Sequence, residues 1–165
     1  MNKFTKAGIA GLFLSLTAVM ASCGGSSTST TDTAAVTADV YPVTVGDLTL
    51  DAQPTSIISL SPSATEMLYA IGAGSQVVAV DEYSNFPAEA VALGTKLSGF
   101  EPNIEAISGY SPDLVIVSYD PGSLVEQLKT LNIPVFVAGA AMSLENVYEQ
   151  IEQLGVLTGH SQAAI

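Results

Sequence analysis

The chain has 165 residues, 48% of them hydrophobic, with sixteen acidic side chains against four lysines, no arginine and a formal net charge of −12. So few cations cannot neutralise a run of phosphates, which argues against a nucleic-acid partner, and the same field repels anionic lipid surfaces and anionic ligands. One cysteine forms no internal disulfide, and one histidine beside it supplies no cluster of ligands for a dedicated zinc or manganese site.

The first segment is an address. Lys3 and Lys6 precede an apolar run over residues 7–19, and Met20-Ala21-Ser22 leads into Cys23. A spanning helix needs about 20 apolar residues, and this shorter run stops at Gly24-Gly25, so residues 1–22 read as a cleaved export signal. Small residues before a lone cysteine resemble a bacterial lipobox, with Met20 standing where leucine is usual. Lipidation of Cys23 and anchoring of the mature chain at the outer side of the membrane are the expectation; ordinary cleavage after Ala21, leaving a free thiol, is the alternative. Residues 23–39, rich in Ser, Thr, Ala and Asp with no apolar period, form a flexible leash, and residues 40–165 are the size of one domain.

Within that domain, residues 41–50 alternate around Gly46-Asp47 as a small hairpin does. Four short apolar runs follow: 56–60 (SIISL), 77–80 (VVAV), 114–118 (LVIVS) and 135–137 (VFV). Such runs, rich in Val and Ile and lacking polar alternation, suit strands buried on both faces of a parallel sheet. Helices are predicted between them, over residues 63–71 with a Ser63/Glu66 capping pattern, from Asn103 to residue 108, and from Ser123 to residue 131. The order is a β-α alternation, hence a Rossmann-like α/β sheet flanked by helices. Residues 143–165 read as one long helix whose stripe of Leu144, Val147, Ile151, Leu154 and Leu157 lacks a partner.

Several sharper readings fail. Gly72 and Gly74 lack the third glycine of a dinucleotide loop and lie between helix and strand rather than strand and helix. His160 is far along the chain from Ser61 and Ser63, and no nucleophile elbow is present, so no hydrolase is read and no catalytic residue is named. His160 is expected at the surface of the last helix.

The run Ile57-Ile58-Ser59-Leu60-Ser61-Pro62-Ser63-Ala64-Thr65-Glu66 resembles the opening of the cobalamin and iron-siderophore family of substrate-binding proteins of ABC importers. Tyr83-Ser84-Asn85-Phe86-Pro87, Asn103-Ile104-Glu105, Ser111-Pro112-Asp113-Leu114 and Leu154-Gly155-x-Leu157-Thr158-Gly159 follow in the family's order. The resemblance implies two lobes joined by a long helix, with ligand between them. Residues 40–165 are then the amino-terminal lobe and the start of the interlobe helix, with the second lobe missing. It also implies a binding role without catalysis, partnership with an ABC permease and its ATPase subunits, and Glu105 as a carboxylate that docks on the permease. As a helix first-turn carboxylate, Glu105 equally serves the macrodipole.

In an open α/β sheet, ligands gather beyond the carboxyl ends of the strands. Tyr83, Phe86, Phe100 and Tyr119, with Ser61, fall on the loops expected there. Aromatic faces suit a bulky, flat, partly polar ligand, although Phe86 and Phe100 can equally pack beneath their loops. By resemblance, Tyr83 matches a corrinoid-contacting tyrosine. With only Lys96 nearby as a cation, a neutral or cationic corrinoid is favoured over ferric siderophores or haem. Gly99-Phe100, where cobalamin binders can carry a tryptophan, leaves the ligand open. An extracytoplasmic enzyme or interaction domain on the same sheet is the alternative of another class.

Overall fold

The computed structural model describes residues 39–95 and 97–165. The export signal, Cys23, the leash up to residue 38 and Lys96 lie outside the described residues. Val43–Val45 (β1) and Leu48–Leu50 (β2) pair antiparallel as the expected hairpin. Four strands, Ile57–Leu60 (β3), Val77–Val80 (β4), Leu114–Val117 (β5) and Val135–Val137 (β6), form a sheet in the order β4-β3-β5-β6, every pair parallel. The helices are Pro62–Ala70 (α1), Ala88–Ala92 (α2), Ile104–Ser108 (α3), Leu124–Thr130 (α4) and Leu144–Thr158 (α5).

Apolar runs become strands here because both faces are covered. Successive side chains on a strand point to opposite faces. Ile57, Leu114 and Ile116 therefore join a core with Leu68 of α1 and Leu154 and Leu157 of α5, while Ile58, Val115 and Val117 join a second core with Ile107 of α3 and Leu124 and Leu128 of α4. A half-solvated sheet would need polar residues at every second position, and β3 and β5 are buried throughout.

Four helices depart from the sequence expectation in a cap, an end or their presence. Helix α1 is capped by Ser61, not Ser63: the Ser61 hydroxyl accepts from the Ala64 amide at 3.4 Å, and Pro62 takes the first helical position, where a missing N–H costs nothing. Ser123 makes no side-chain cap on α4 because it sits at φ 62°; Asp120 Oδ1 instead accepts from the Val125 amide at 3.0 Å. Helix α2, not predicted, starts after Pro87. The last helix ends at Thr158 and does not run to residue 165. Gly159 at φ 77° adopts the left-handed conformation that stops it, and a 3-10 turn, Ser161–Ala163, follows.

The stripe on α5 is not orphaned either. Leu154 and Leu157 are fully buried, and only the amino-terminal end of the stripe, Leu144, stands 69% exposed. The carboxyl end of α5 is also tied by polar bonds: Tyr41 Oη donates to the Leu157 carbonyl at 3.1 Å, and Gln53 Nε2 and Gln76 Nε2 donate to the Thr158 carbonyl at 2.8 and 3.0 Å. His160 is not on the helix surface. It lies past the helix end, half-buried, with Nδ1 2.9 Å from the same carbonyl.

At the opposite ends of the strands from the site, Asp113 holds the entry to β3. Its Oδ2 accepts from the Thr55 amide, the Thr55 hydroxyl and the Ser56 amide at 2.8, 2.9 and 3.0 Å. The Thr55 amide bond, foremost, holds this carboxyl below the ordinary carboxylate range. A carboxyl pKa depressed by folding contributes stability that is complete above the unfolded value and lost as pH falls through the folded one. Asp113→Ala should therefore cost about 1 kcal/mol at neutral pH, discounted for its exposure, and the cost should vanish in acid. Urea unfolding of both proteins across the acid limb checks this; an equal cost at every pH refutes the charge-linked account.

Candidate functional site

Strand order places the site. The chain passes from β3 to β4 on one side and then crosses to β5 on the other. The crossover leaves a crevice between diverging loops at the carboxyl ends of the strands. A cavity of about 450 Å³ opens there, bounded by Leu60 at the end of β3, Asp81 and Tyr83 after β4, Gly99 and Phe100, and Tyr119 after β5.

Three aromatic rings line it. Tyr83 and Phe100 meet edge to face, with centroids 5.6 Å apart and planes at 84°, and Phe100 and Tyr119 lie 6.3 Å apart at 46°. Both separations fall in the range of favourable aromatic pairs. The rings nevertheless remain 57%, 62% and 43% exposed for Tyr83, Phe100 and Tyr119. Three neighbouring aromatics left open to water form an apolar platform rather than a core.

A closed polar network joins α1 to the chain segments that follow β3 and β4. Thr65 Oγ1 of α1 lies 2.8 Å from Ser59 Oγ of β3, 3.0 Å from the Ser61 carbonyl and 3.0 Å from Ser84 Oγ in the loop after β4. Ser59, Ser61, Thr65 and Ser84 are all buried. Such a network is worth its cost only when its members are satisfied, and these hydroxyls are.

Of the residues singled out from the sequence, Tyr83, Phe100 and Tyr119 come together. Ser61 and Phe86 do not join them. Ser61 is fully buried, its hydroxyl turned to the α1 amide and to Ser63 Oγ, so it belongs to this network and does not line the cavity. Phe86 borders a different hollow, of about 620 Å³, with Glu66, Tyr69 and Glu89. Glu105 is exposed in the first turn of α3, whose amino end Asn103 caps through Oδ1 to the Ala106 amide at 3.0 Å. Among the described residues, no three His, Cys, Asp or Glu side chains gather as metal ligands, and no helix is long and apolar enough to cross a membrane.

Sequence reasoning missed Asp81. It is 3% exposed and borders the cavity, and Oδ1 accepts from the Tyr83 and Ser84 amides at 2.7 and 2.8 Å. Burial pushes this carboxyl up, against the lowering effect of the two backbone bonds. The signal was present in the sequence as a charge set directly on the end of the VVAV run. Gly99 was read only as a departure from a pattern. A Cβ on it would stand 3.0 Å from the Leu60 carbonyl oxygen, so the backbone there passes too close to β3 for a side chain to sit comfortably.

The family model described as "Periplasmic binding protein" matches residues 57–164. The chain belongs to the periplasmic binding protein family. Its curated relatives include an uncharacterized ABC transporter substrate-binding lipoprotein of Bacillus subtilis, 32% identical over 96% of this chain and 53% of the relative. A cobalamin-binding protein of Halobacterium salinarum is 34% identical over 75% of this chain and 36% of its own length. Among solved structures, the periplasmic vitamin B12 binding protein of Vibrio cholerae superposes with a TM-score of 0.60 at 32% identity, covering 67% of this chain and 44% of that one. The chain thus spans about half the length of the first of these relatives or less. The α/β architecture and the family expected from the sequence are both found.

Proposed function

We infer that this chain is the ligand-capturing lobe of an extracytoplasmic substrate-binding lipoprotein, which takes up a bulky, flat corrinoid and hands it to an ABC permease with its ATPase subunits. The observation that carries this reading is the convergence of Tyr83, Phe100 and Tyr119 on one cavity at the strand ends. Ligand sites are concave and mostly apolar, with few polar groups, and about 450 Å³ lies within their usual range of about 300 to 1,000 Å³. Relatives named for cobalamin and vitamin B12 support the choice of cargo. The lone buried carboxylate at the rim, with no basic residue lining the cavity among the described residues, favours a neutral or cationic ligand over haem or a ferric siderophore. The task is binding, with no covalent step.

In this reading a second lobe closes the cleft, and titration calorimetry with cyanocobalamin, haem and ferric hydroxamates on the two-lobed gene product tests the cargo. Preference for haem or a hydroxamate overturns the corrinoid assignment. Cys23 carries the lipid anchor; fatty-acid label should appear on the wild-type chain and disappear in Cys23→Ala, and equal label on both removes the anchor. Glu105 docks on the permease. Glu105→Ala should leave fold and cargo affinity in place and weaken stimulation of the importer ATPase severalfold, and undiminished stimulation in reconstituted vesicles rules the docking role out.

A further inference from the structure

We propose that Asp81 is a charge filter in the rim cavity: its outer oxygen accepts a hydrogen bond from a neutral donor, such as an amide, on the cargo and turns away cargo that brings a carboxylate to that place. The proposal rests on the corrinoid reading and names a specificity residue within it.

The geometry divides the two carboxylate oxygens. Oδ1 is committed to the Tyr83 and Ser84 amides at 2.7 and 2.8 Å, which fixes the side chain and the turn that carries Tyr83. Oδ2 takes neither of these amides, and although Asp81 is only 3% exposed it borders the cavity. It is kept open by the missing side chain at Gly99, where a Cβ would stand 3.5 Å from Oδ2. A carboxylate oxygen on a cavity wall gives up water when cargo enters, and a cargo amide replaces that hydrogen bond. A second carboxylate in the same place cannot, and in a water-poor cleft the repulsion is weakly screened. Glu82, next in sequence, adds to the negative field rather than offsetting it. Burial pushes the Asp81 carboxyl up although the Ser84 hydroxyl, beside the two amides, also bonds it.

The test compares cyanocobalamin with its isomeric monocarboxylates, in which one peripheral amide has been hydrolysed, on the wild-type gene product and on Asp81→Asn. The substituted amide keeps an oxygen for the Tyr83 and Ser84 amides, so the thermal midpoint should hold, which circular dichroism verifies. The wild type should bind at least one isomer about tenfold or more weakly than the parent, and Asp81→Asn should bring that ratio close to one. Equal binding of every isomer by the wild type, or the same ratio in the variant, overturns the filter while parent binding leaves the corrinoid reading standing. Binding of haem but no corrinoid, equally by both proteins, overturns both.

Discussion

Phe100→Ala weakens cyanocobalamin binding by about 30-fold, the loss of about 2 kcal/mol expected when a central aromatic anchor is truncated. Phe100 is the middle ring of the three, touching Tyr83 on one side and Tyr119 on the other, so its removal both deletes contact area and releases its neighbours. At 62% exposure it contributes little to the core, and the melting temperature of the variant should stay within a degree or two of wild type. Calorimetric titration paired with thermal unfolding separates the two effects. A variant that binds as the wild type does removes the aromatic platform from the site; one that binds poorly because it melts early assigns Phe100 to folding.

Leu157→Ala is the largest expected loss of stability, about 3 kcal/mol out of a total that is typically about 5 to 15. The side chain is fully buried between the sheet and the α5 axis, and its carbonyl receives the Tyr41 hydroxyl, so a cavity here loosens the hairpin as well as the helix. Tyr148→Ala, on the exposed side of the same helix, should change stability by less than about 0.5 kcal/mol. Urea unfolding distinguishes them, and similar midpoints for the two variants would mean that α5 is not part of the core.

The strands were legible because burial on both faces writes itself as uninterrupted Val, Ile and Leu, and the bounds of β4 and β6 agree with the sequence to the residue. Helix ends were less legible, since Ser61 and Ser63 offer the same hydroxyl and only the path of the backbone decides which one caps. Gly159 was a readable stop signal that the apolar stripe overshadowed. At the site, the aromatics announced themselves by falling after strand ends. Ser61 lies off the cavity lining, and a serine at a strand end reads alike whether it faces a cargo or a helix amide. Asp81 was hidden for the opposite reason. Its role depends on Gly99, eighteen positions on, leaving one oxygen uncovered, and no spacing rule connects the two.

The hydroxyl chain of Ser59, Thr65 and Ser84 joins a strand end, a helix and a loop through groups that do not ionise in the physiological range. Mild acid and added electrolyte therefore have no handle on this seam. When buffer conditions alter how firmly a guest is held, the hydroxyl seam keeps its shape, and the change reports on the guest and on Asp81 with the Tyr83 turn it holds.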